Sequence, residues 1–398
     1  MKYDFEKLAD RRGQGSAKWR DMYALNEQVG TEVVPLSVAD MEFENPREIT
    51  EGLRRYLEQA VLGYTVPTKA YYDAVTDWMK RRHGWNVEAE SIVCSPGVVP
   101  ALYAAVCAFT QPGDSVLLLT PVYYPFYKAV EENGRHVITS SLLENDGRYT
   151  MNYKDIEEKT KHLGTKLLLL CNPHNPVGRV WDKEELYRLG EICRENQVIV
   201  VSDEIHQDLI MPGYRHCVFQ TADPSFEDFS IVCTAPSKTF NLAGMQTSNI
   251  IIPNQELRKQ FQQTLTRNLG GPFLNMLGYE ACRLAYTECE EWLEQLLLVI
   301  QRNSQVVEAF FAERMPKVKV VPLEGTYLQW LDFRGLHVDY KKMEQIHVKQ
   351  AEVFFDEGYI FGKEGEGFER INLACPTWVI EEALERLYKS YQGVGPTP

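Results

Sequence analysis

The segment from Lys166 to Gly178 reads KLLLLCNPHNPVG and indicates the fold of the whole chain. Its first half is a continuous apolar run of strand length, the pattern of a strand that is buried on both faces. Its second half combines two Asn-Pro steps with a glycine, which predicts a rigid turn directly after the strand. Buried strands that end in polar turns are typical of open α/β sheets, where ligands bind outside the carboxyl ends of the strands.

The same alternation of apolar strands and amphipathic helices continues on both sides of this segment. Because near-continuous apolar strands separated by helices indicate a parallel sheet covered on both faces, we predict an α/β fold with a mostly parallel, seven-stranded sheet. The predicted strands are 91–94, 116–120, 136–140, 166–171, 198–202, 230–234 and 249–252, and the predicted helices between them are 98–109, about 124–133 and 183–195.

Beyond about residue 256 the pattern turns helical, with a long helix predicted at 288–311. The remainder mixes predicted strands with predicted helices, which is an α+β pattern. We therefore expect a large domain at 51–285, a smaller α+β domain at 286–398, and an N-terminal segment, 1–50, that joins the small domain. The predicted strands of the C-terminal part are 318–321, 327–332 and 370–374, and the predicted helices are 341–355 and 380–388.

Composition excludes several classes of protein. The formal net charge of −14 argues against a nucleic-acid or anionic-membrane partner, since both require clustered Lys and Arg. The chain starts without the apolar core of a secretory signal, and its apolar runs are too short to span a bilayer. The nine cysteines are scattered without C-x-x-C pairs, and the eight histidines form no cluster of metal-ligand spacing. We expect a cytoplasmic protein without disulfides or metal.

Polar residues follow four of the predicted strands, and each has an ordinary reading when taken alone. Asp203 after strand 198–202 is read as a helix cap or a salt-bridge partner, and Lys238 after strand 230–234 as a solvated loop charge. The 172–178 segment is read as a rigid turn. The residues SPGVVP at 95–100 are read as a plain strand-to-helix turn.

Taken together, these four elements supply the parts of a pyridoxal-phosphate (PLP) site. PLP requires an amine for a Schiff base, an acid that faces the pyridine nitrogen, and a cradle for the phosphate. Lys238 and Asp203 provide the first two. The free amides of Gly97, Val98 and Val99 at a helix start provide the third, since helix N-termini bind phosphate. The predicted cofactor is PLP.

Motifs in this order and spacing resemble the fold-type-I PLP enzymes, which have the aspartate-aminotransferase-like fold. They are N-P-x-N-P-x-G, D-E-x-x and S-K-x-F. Further segments are similar to the C–S lyases of the MalY/PatB type, and the similarity runs nearly from end to end. These segments are SVADM at 37–41, GYT at 63–65, TPVYYP at 120–125, SDEIH at 202–206 and RIN at 370–372.

The resemblance implies roles in the cofactor site. Lys238 forms the Schiff base and later moves the Cα proton, and Asp203 keeps the pyridine nitrogen protonated. Asn175 hydrogen-bonds the ring oxygen, and Tyr123 stacks on the cofactor ring. Ser237 is a further ligand of the phosphate. The Asn175–Pro176 peptide is expected to be cis, a form that only X-Pro bonds adopt at low cost.

The resemblance also implies how the substrate is bound and how the chains assemble. Arg370, together with Asn175, binds the substrate α-carboxylate through a bidentate pair that Lys could not match. Tyr64 reaches the phosphate of the cofactor in the neighbouring subunit, so the enzyme is a homodimer with shared active sites. Tyr123 and Tyr124 are both candidates to protonate the leaving sulfur, and the sequence does not choose between them.

Two positions depart from the aminotransferase pattern. Three residues after the pyridine-binding Asp, where aminotransferases usually have Tyr, this chain has His206. Eight residues after the Schiff-base Lys, where many have a phosphate-binding Arg, it has Gln246. Two readings of His206 stay open, namely a structural imidazole near Asp203 and a direct contact with the cofactor.

The predicted function is a PLP-dependent α,β-elimination. A cystathionine- or cysteine-type amino acid is cleaved at its C–S bond to pyruvate, ammonia and a thiol or sulfide. The first alternative is an aminotransferase of class I/II, which would accept a keto acid stoichiometrically. The second is a regulator or binding protein on the same fold, which the acidic chain without a spare N-terminal domain disfavours. The preferred sulfur amino acid is not readable from one sequence.

Overall fold

The computed structural model describes residues 2–162, 164–271 and 274–394. Residue 1 of the predicted N-terminal segment and residues 395–398 of the predicted small domain lie outside the described part. The helices are α1 (Ala17–Leu25), α2 (Arg47–Leu57), α3 (Lys69–His83), α4 (Val98–Phe109), α5 (Pro125–Glu131), α6 (Tyr153–Thr160), α7 (Lys183–Glu195), α8 (Phe219–Ala222), α9 (Pro236–Thr239), α10 (Gln255–Leu269), α11 (Met276–Glu288), α12 (Glu290–Arg314), α13 (Tyr340–Gln345) and α14 (Thr377–Ser390). The strands are β1 (Ile92–Ser95), β2 (Ser115–Thr120), β3 (His136–Ser141), β4 (Leu143–Asn145), β5 (Arg148–Thr150), β6 (Thr165–Cys171), β7 (Ile199–Asp203), β8 (Ser230–Thr234), β9 (Ser248–Ile251), β10 (Lys319–Val320), β11 (Leu328–Asp332), β12 (Asp356–Glu357) and β13 (Phe368–Asn372).

The central sheet has seven strands in the order β1-β9-β8-β7-β6-β2-β3. The five strands from β8 to β3 run parallel to one another, and β9 is antiparallel to both of its neighbours. This confirms the predicted mostly parallel, seven-stranded sheet. The predicted helices 98–109 and 183–195 also have the bounds that the structure gives to α4 and α7.

Alternating side chains of the central strands enter two different apolar cores. Leu167 and Leu169 pack in one core with residues of α4, α5 and α10, whereas Leu168 and Leu170 pack in the other with residues of α7. All four leucines are fully buried. Because successive side chains of a strand point to opposite faces, the run LLLL fits only a strand that is covered on both sides.

The register of the central strands brings their polar carboxyl ends together. Cys171 at the end of β6 pairs with Asp203 at the end of β7, and Asp203 pairs in turn with Cys233 near the end of β8. The residues that follow β6 and β8 therefore leave the sheet on either side of Asp203. Ser95, which ends β1, pairs with Ser248 on β9 and so reaches the same edge.

A second sheet of four antiparallel strands lies in the C-terminal part, in the order β10-β11-β13-β12. The N-terminal segment runs along it: the Leu36 N–H donates to the Phe354 carbonyl and the Asn372 N–H to the Leu36 carbonyl, each at 2.9 Å. The predicted domain boundaries at 51 and 286 stay predictions.

Two predicted helices differ from those of the structure. The predicted helix 288–311 is interrupted at Cys289, which separates α11 from α12 with a non-helical φ of −113°. The predicted helix 341–355 continues from α13 into a π-helical turn, Ile346–Ala351, and ends there because Glu352 takes a left-handed φ of 51°. Within the described ranges, no helix is both long and apolar enough to cross a membrane.

Candidate active site

A cavity of about 170 Å³ opens at the carboxyl ends of the central strands. It is the place where the fold brings the sequence-predicted residues together. Its walls include predicted residues from five separate segments: Gly97, Val98, Val99, Tyr123, Asn175, Asp203, His206, Ser237 and Lys238.

Lys238 stands on the single turn of α9, directly after β8. Its Nζ donates to the carbonyl oxygen of Ala39 at 2.7 Å. Burial lowers the pKa of the Lys238 amine to about 8; the positive charge of Arg370 acts in the same direction, and Asp40 opposes it. An amine with this pKa is largely neutral at slightly alkaline pH, which is the form that attacks a carbonyl or accepts a proton.

Asp203 faces the same cavity from the end of β7. Burial raises the pKa of its carboxyl group to about 7, although the N–H of Ile205 donates to Oδ1 at 3.1 Å. A buried acid of this kind is stabilised in its ionised form when a cation faces it. A protonated pyridine nitrogen is such a cation.

The neighbouring acid, Glu204, belongs to a different environment. Its carboxylate accepts hydrogen bonds from the Ser202 hydroxyl at 2.8 Å and the Phe219 N–H at 2.9 Å, and it pairs with His216 Nε2 at 2.7 Å. It is fully buried and its hydrogen bonds are made inside the protein. Of the two adjacent acids, Asp203 is therefore the one that lines the cavity.

The N-terminus of α4 forms one end of the cavity. Gly97 precedes the helix, and the first helical residues are Val98 and Val99. The first amides of a helix have no partner within it, so they and the helix dipole favour an anion. Ser237 and Gln246 also line the cavity, so the place of the missing arginine is occupied by a neutral amide side chain.

Arg370 lies behind Asn175, on β13 of the second sheet. Its Nη1 donates to Asn175 Oδ1 at 2.8 Å, and its Nη2 pairs with Asp356 Oδ2. The residue is only 2% exposed, and within the described part of the chain its Nε has no hydrogen-bond partner. A buried guanidinium with free donors is suited to a carboxylate ligand.

The two candidate proton donors differ in their surroundings. Tyr123 lines the cavity, whereas Tyr124, at the start of α5, is 37% exposed. Their ring centroids are 5.4 Å apart. Burial raises the pKa of both phenols, so both hold their protons at neutral pH.

His206 is buried and lines the cavity, with its ring 5.9 Å from that of Tyr327. Burial lowers its pKa well below the ordinary value, with Lys238 and Arg370 acting in the same direction, so the imidazole is neutral. Its Nδ1 has no hydrogen-bond partner among the residues that the structure describes. Of the two readings left open by the sequence, this orphaned nitrogen favours a contact with a bound group.

Tyr64 is a predicted site residue that lies away from the cavity in this chain. It lies in the loop between α2 and α3 and is 91% exposed. Its predicted target belongs to a neighbouring subunit. The Asn175–Pro176 peptide is cis, as the sequence analysis predicted, and so are two further X-Pro peptides.

Ala39 and Asp356 contact predicted site residues, although the sequence patterns gave neither of them a role. The Ala39 carbonyl contacts the Lys238 amine, and Asp356 pairs with Arg370. The sequence held a signal for Ala39, because this residue lies in the SVADM segment at 37–41, which is similar to the C–S lyases of the MalY/PatB type. For Asp356 the signal is weaker, namely an acid directly after the apolar run at 353–355.

The donor set fits PLP. PLP has an aldehyde, a ring nitrogen, a ring oxygen and a phosphate. The cavity offers one partner for each, in that order: the Lys238 amine of lowered pKa, the buried Asp203 acid, the unpaired nitrogen of the His206 imidazole and the N-terminus of α4.

Comparison with known proteins supports the same assignment. The model of the family "aminotransferase class I and II" matches residues 31–387. Cystathionine beta-lyase PatB of Bacillus subtilis (strain 168) is 44% identical over 386 residues, covering 96% of this chain and 98% of that protein.

Solved structures give the same result. Cystalysin from Treponema denticola, which contains a pyridoxal 5'-phosphate cofactor, is 51% identical, with a TM-score of 0.97 and coverage of 98% of this chain and 99% of that chain. The PLP-bound C–S lyase from Staphylococcus hominis is 32% identical, with a TM-score of 0.90 and coverage of 98% of both chains. The chain therefore belongs to the aminotransferase class I and II family and, within it, to the MalY/PatB-type group that its motifs indicated.

Proposed function

We propose that this protein is a PLP-dependent carbon–sulfur lyase. It cleaves the Cβ–S bond of a cystathionine- or cysteine-type L-amino acid to give pyruvate, ammonia and a thiol or sulfide. The observation that carries this proposal is the single cavity in which the Lys238 amine, the Asp203 carboxylate and the N-terminus of α4 meet. The relatedness to PatB and to cystalysin selects elimination over transamination.

PLP, when bound, supplies an aldehyde that condenses with amines and a protonated ring that accepts electrons from Cα of the substrate. Lys238 would hold this aldehyde through its amine, and the same amine in its free form would take the Cα proton of the substrate. The lowered pKa of about 8 suits both tasks, because each requires the neutral amine. The Ala39 carbonyl, 2.7 Å from Nζ, orients the free amine.

Asp203 holds a proton on the ring nitrogen. Its carboxylate lies in a buried position where a facing cation is stabilised more strongly than in water. Asn175 and the neutral His206 are the groups available to the ring oxygen, and His206 takes the place that Tyr has in most aminotransferases. The amides of Gly97, Val98 and Val99, with Ser237, line the cavity and would hold the phosphate.

Arg370 orients the substrate by its α-carboxylate. Of its five N–H donors, one goes to Asn175 and one to Asp356, which leaves donors for a bidentate pair with the substrate. The α-carboxylate is thereby held next to Asn175, on the cavity wall that also contains Lys238. This arrangement places Cα near the amine that must take its proton.

Either Tyr123 or Tyr124 protonates the leaving sulfur. Both phenols are protonated at neutral pH, as a donor to a developing thiolate must be. Tyr123 is the one that lines the cavity. Tyr123→Phe and Tyr124→Phe, compared side by side, identify the donor by the larger loss of kcat.

The working enzyme is a cytoplasmic homodimer with shared active sites. Support comes from the loop between α2 and α3, where four large apolar side chains are strongly exposed: Val61 at 88%, Leu62 at 72%, Tyr64 at 91% and Val66 at 60%. Contiguous exposed apolar side chains mark interaction surfaces. In the dimer Tyr64 reaches the phosphate in the other subunit. Each subunit is divided into an N-terminal segment, 1–50, a large domain, 51–285, and a small domain, 286–398.

The test is a product assay. Purified protein is loaded with PLP and incubated with L-cystathionine and, separately, with L-cysteine, and pyruvate and the released thiol or sulfide are measured. Elimination gives pyruvate and the thiol or sulfide in equal amounts and requires no added keto acid. Turnover that depends on an added keto acid, with no pyruvate formed from the sulfur amino acid, would identify an aminotransferase instead.

A further inference from the structure

The Asp356 carboxylate lies between two parts of the active site that come from opposite ends of the chain. Its Oδ2 pairs with Arg370 Nη2 and also accepts the backbone N–H of Val38 at 2.8 Å. Asp356 begins β12 and stands opposite Arg370 in the register with β13. One carboxylate oxygen therefore contacts both the substrate-binding arginine and the N-terminal segment.

Val38 adopts a backbone conformation that is unfavourable for its side chain. Its φ is +53°, in the left-handed region that β-branched residues rarely enter. Such a conformation persists only where surrounding contacts hold it in place. The hydrogen bond to Asp356 is one of these contacts, and the donation from Asn372 Nδ2 to the Val38 carbonyl at 2.7 Å is another.

The turn at Val38 decides where the next carbonyl points. Ala39 follows Val38, and its carbonyl oxygen accepts the Lys238 amine. The remainder of the segment is anchored further along: the Asp40 carbonyl accepts Asn372 Nδ2 at 2.8 Å, and the Met41 N–H donates to Asn241 Oδ1 at 3.1 Å. Asp356 is thus a charged side chain that holds the strained end of the 38–41 segment.

We propose that Asp356 is a positioning residue that sets Arg370 and the 38–41 segment together. The carboxylate site of the substrate and the carbonyl that faces Lys238 then depend on the same side chain. The inference rests on the proposed function, because it assigns Arg370 to the substrate carboxylate and Lys238 to the Cα proton.

The two contacts of Asp356 differ in what they require, and this allows them to be separated by mutation. The contact with Val38 needs only an acceptor oxygen, which asparagine retains. The contact with Arg370 needs a negative charge, because a buried guanidinium is held in one orientation far better by a carboxylate than by a neutral amide. Asp356→Asn therefore removes one function, and Asp356→Ala removes both.

The experiment compares both variants with wild type as PLP-loaded enzyme, by steady-state kinetics and by hydrogen exchange of the peptide that contains residues 36–41. Asp356→Asn should raise KM for the sulfur amino acid about tenfold or more, with kcat within about threefold of wild type and exchange unchanged. Asp356→Ala should raise KM similarly, lower kcat, and speed the exchange of the 36–41 peptide about tenfold or more, because the Val38 amide has lost its acceptor.

Glu357→Gln is the matched control. It changes the next acid of β12, which stands opposite Glu369 rather than Arg370, and it should leave KM and exchange as in wild type. If Asp356→Ala does not fold, the KM of Asp356→Asn still tests whether Asp356 positions Arg370. A wild-type KM in Asp356→Asn, or wild-type exchange in Asp356→Ala, would overturn the proposal.

Failure of the proposed function has a separate signature. Wild-type protein that releases no pyruvate would refute the lyase assignment. Dissociation constants for the amino acid, obtained from the visible absorbance of the bound cofactor, would in that case still compare wild type with Asp356→Asn. Equal constants would remove Asp356 from the carboxylate site.

Discussion

Arg370→Lys tests whether the buried arginine binds the substrate carboxylate through two hydrogen bonds. In the structure, the guanidinium is 2% exposed, with Nη1 committed to Asn175 and Nη2 to Asp356. A lysine ammonium has three donors, and after satisfying these two acceptors it keeps one for the substrate. The substitution preserves the charge and removes the second hydrogen bond.

The expected cost follows from that count. A hydrogen bond between charged groups contributes about 1.5–3 kcal/mol, and each 1.4 kcal/mol corresponds to a factor of ten. We therefore expect kcat/KM for L-cystathionine to fall by about 10- to 150-fold. Most of the loss should be in KM, since the carboxylate is bound in the ground state as well as in the transition state.

The assay measures pyruvate at several substrate concentrations, alongside the visible absorbance of the cofactor to confirm that PLP is still bound. Arg386→Lys is the matched control, because Arg386 also donates to protein oxygens, the carbonyls of Ala351 and Glu352, and neither of these residues lines the cavity. Its kcat/KM should equal that of wild type. An Arg370→Lys enzyme with wild-type KM would refute the bidentate assignment.

The remaining predictions concern the cofactor. Lys238→Ala should abolish the visible absorbance of the lysine-bound cofactor, and an unchanged spectrum would place the Schiff base elsewhere. Asp203→Ala should lose most turnover while retaining some cofactor, because the ring nitrogen loses its proton; near-wild-type kcat would contradict this role. Tyr64→Phe should remain dimeric by sedimentation, and its free energy of PLP binding should be weaker by about 1.5–3 kcal/mol. An unchanged PLP affinity would remove Tyr64 from the site. The rate at which PLP binds to the apoenzyme should rise as the pH increases through about 8, because the pKa of Lys238 is lowered to about 8 and only the neutral amine reacts. A binding rate that does not change between about pH 6 and about pH 9 would contradict this prediction.

Much of the fold and part of the site were predictable from local sequence patterns. The runs that became β6, β7 and β8 are apolar and short, and strands of this kind form parallel sheets buried on both faces. Once the strands are parallel, their carboxyl ends share one edge, so Asp203, Asn175 and Lys238 had to lie near one another. That geometric rule is why the sequence predicted Lys238 and Asp203 for one site, whereas the predicted role of Asn175 came from the resemblance to the PLP enzymes.

The tertiary structure alone decided the contacts that join distant segments. The local sequence marks Ala39 and Asp356 only weakly and does not predict their contacts, because the pairing of residue 38 with residue 356 depends on how the N-terminal segment runs along the second sheet. The same holds for the orphaned nitrogen of His206, whose partner atoms depend on packing. Sequence patterns encode strand, helix and turn within a few residues, whereas these contacts are set by the packing of whole elements, which no local pattern specifies.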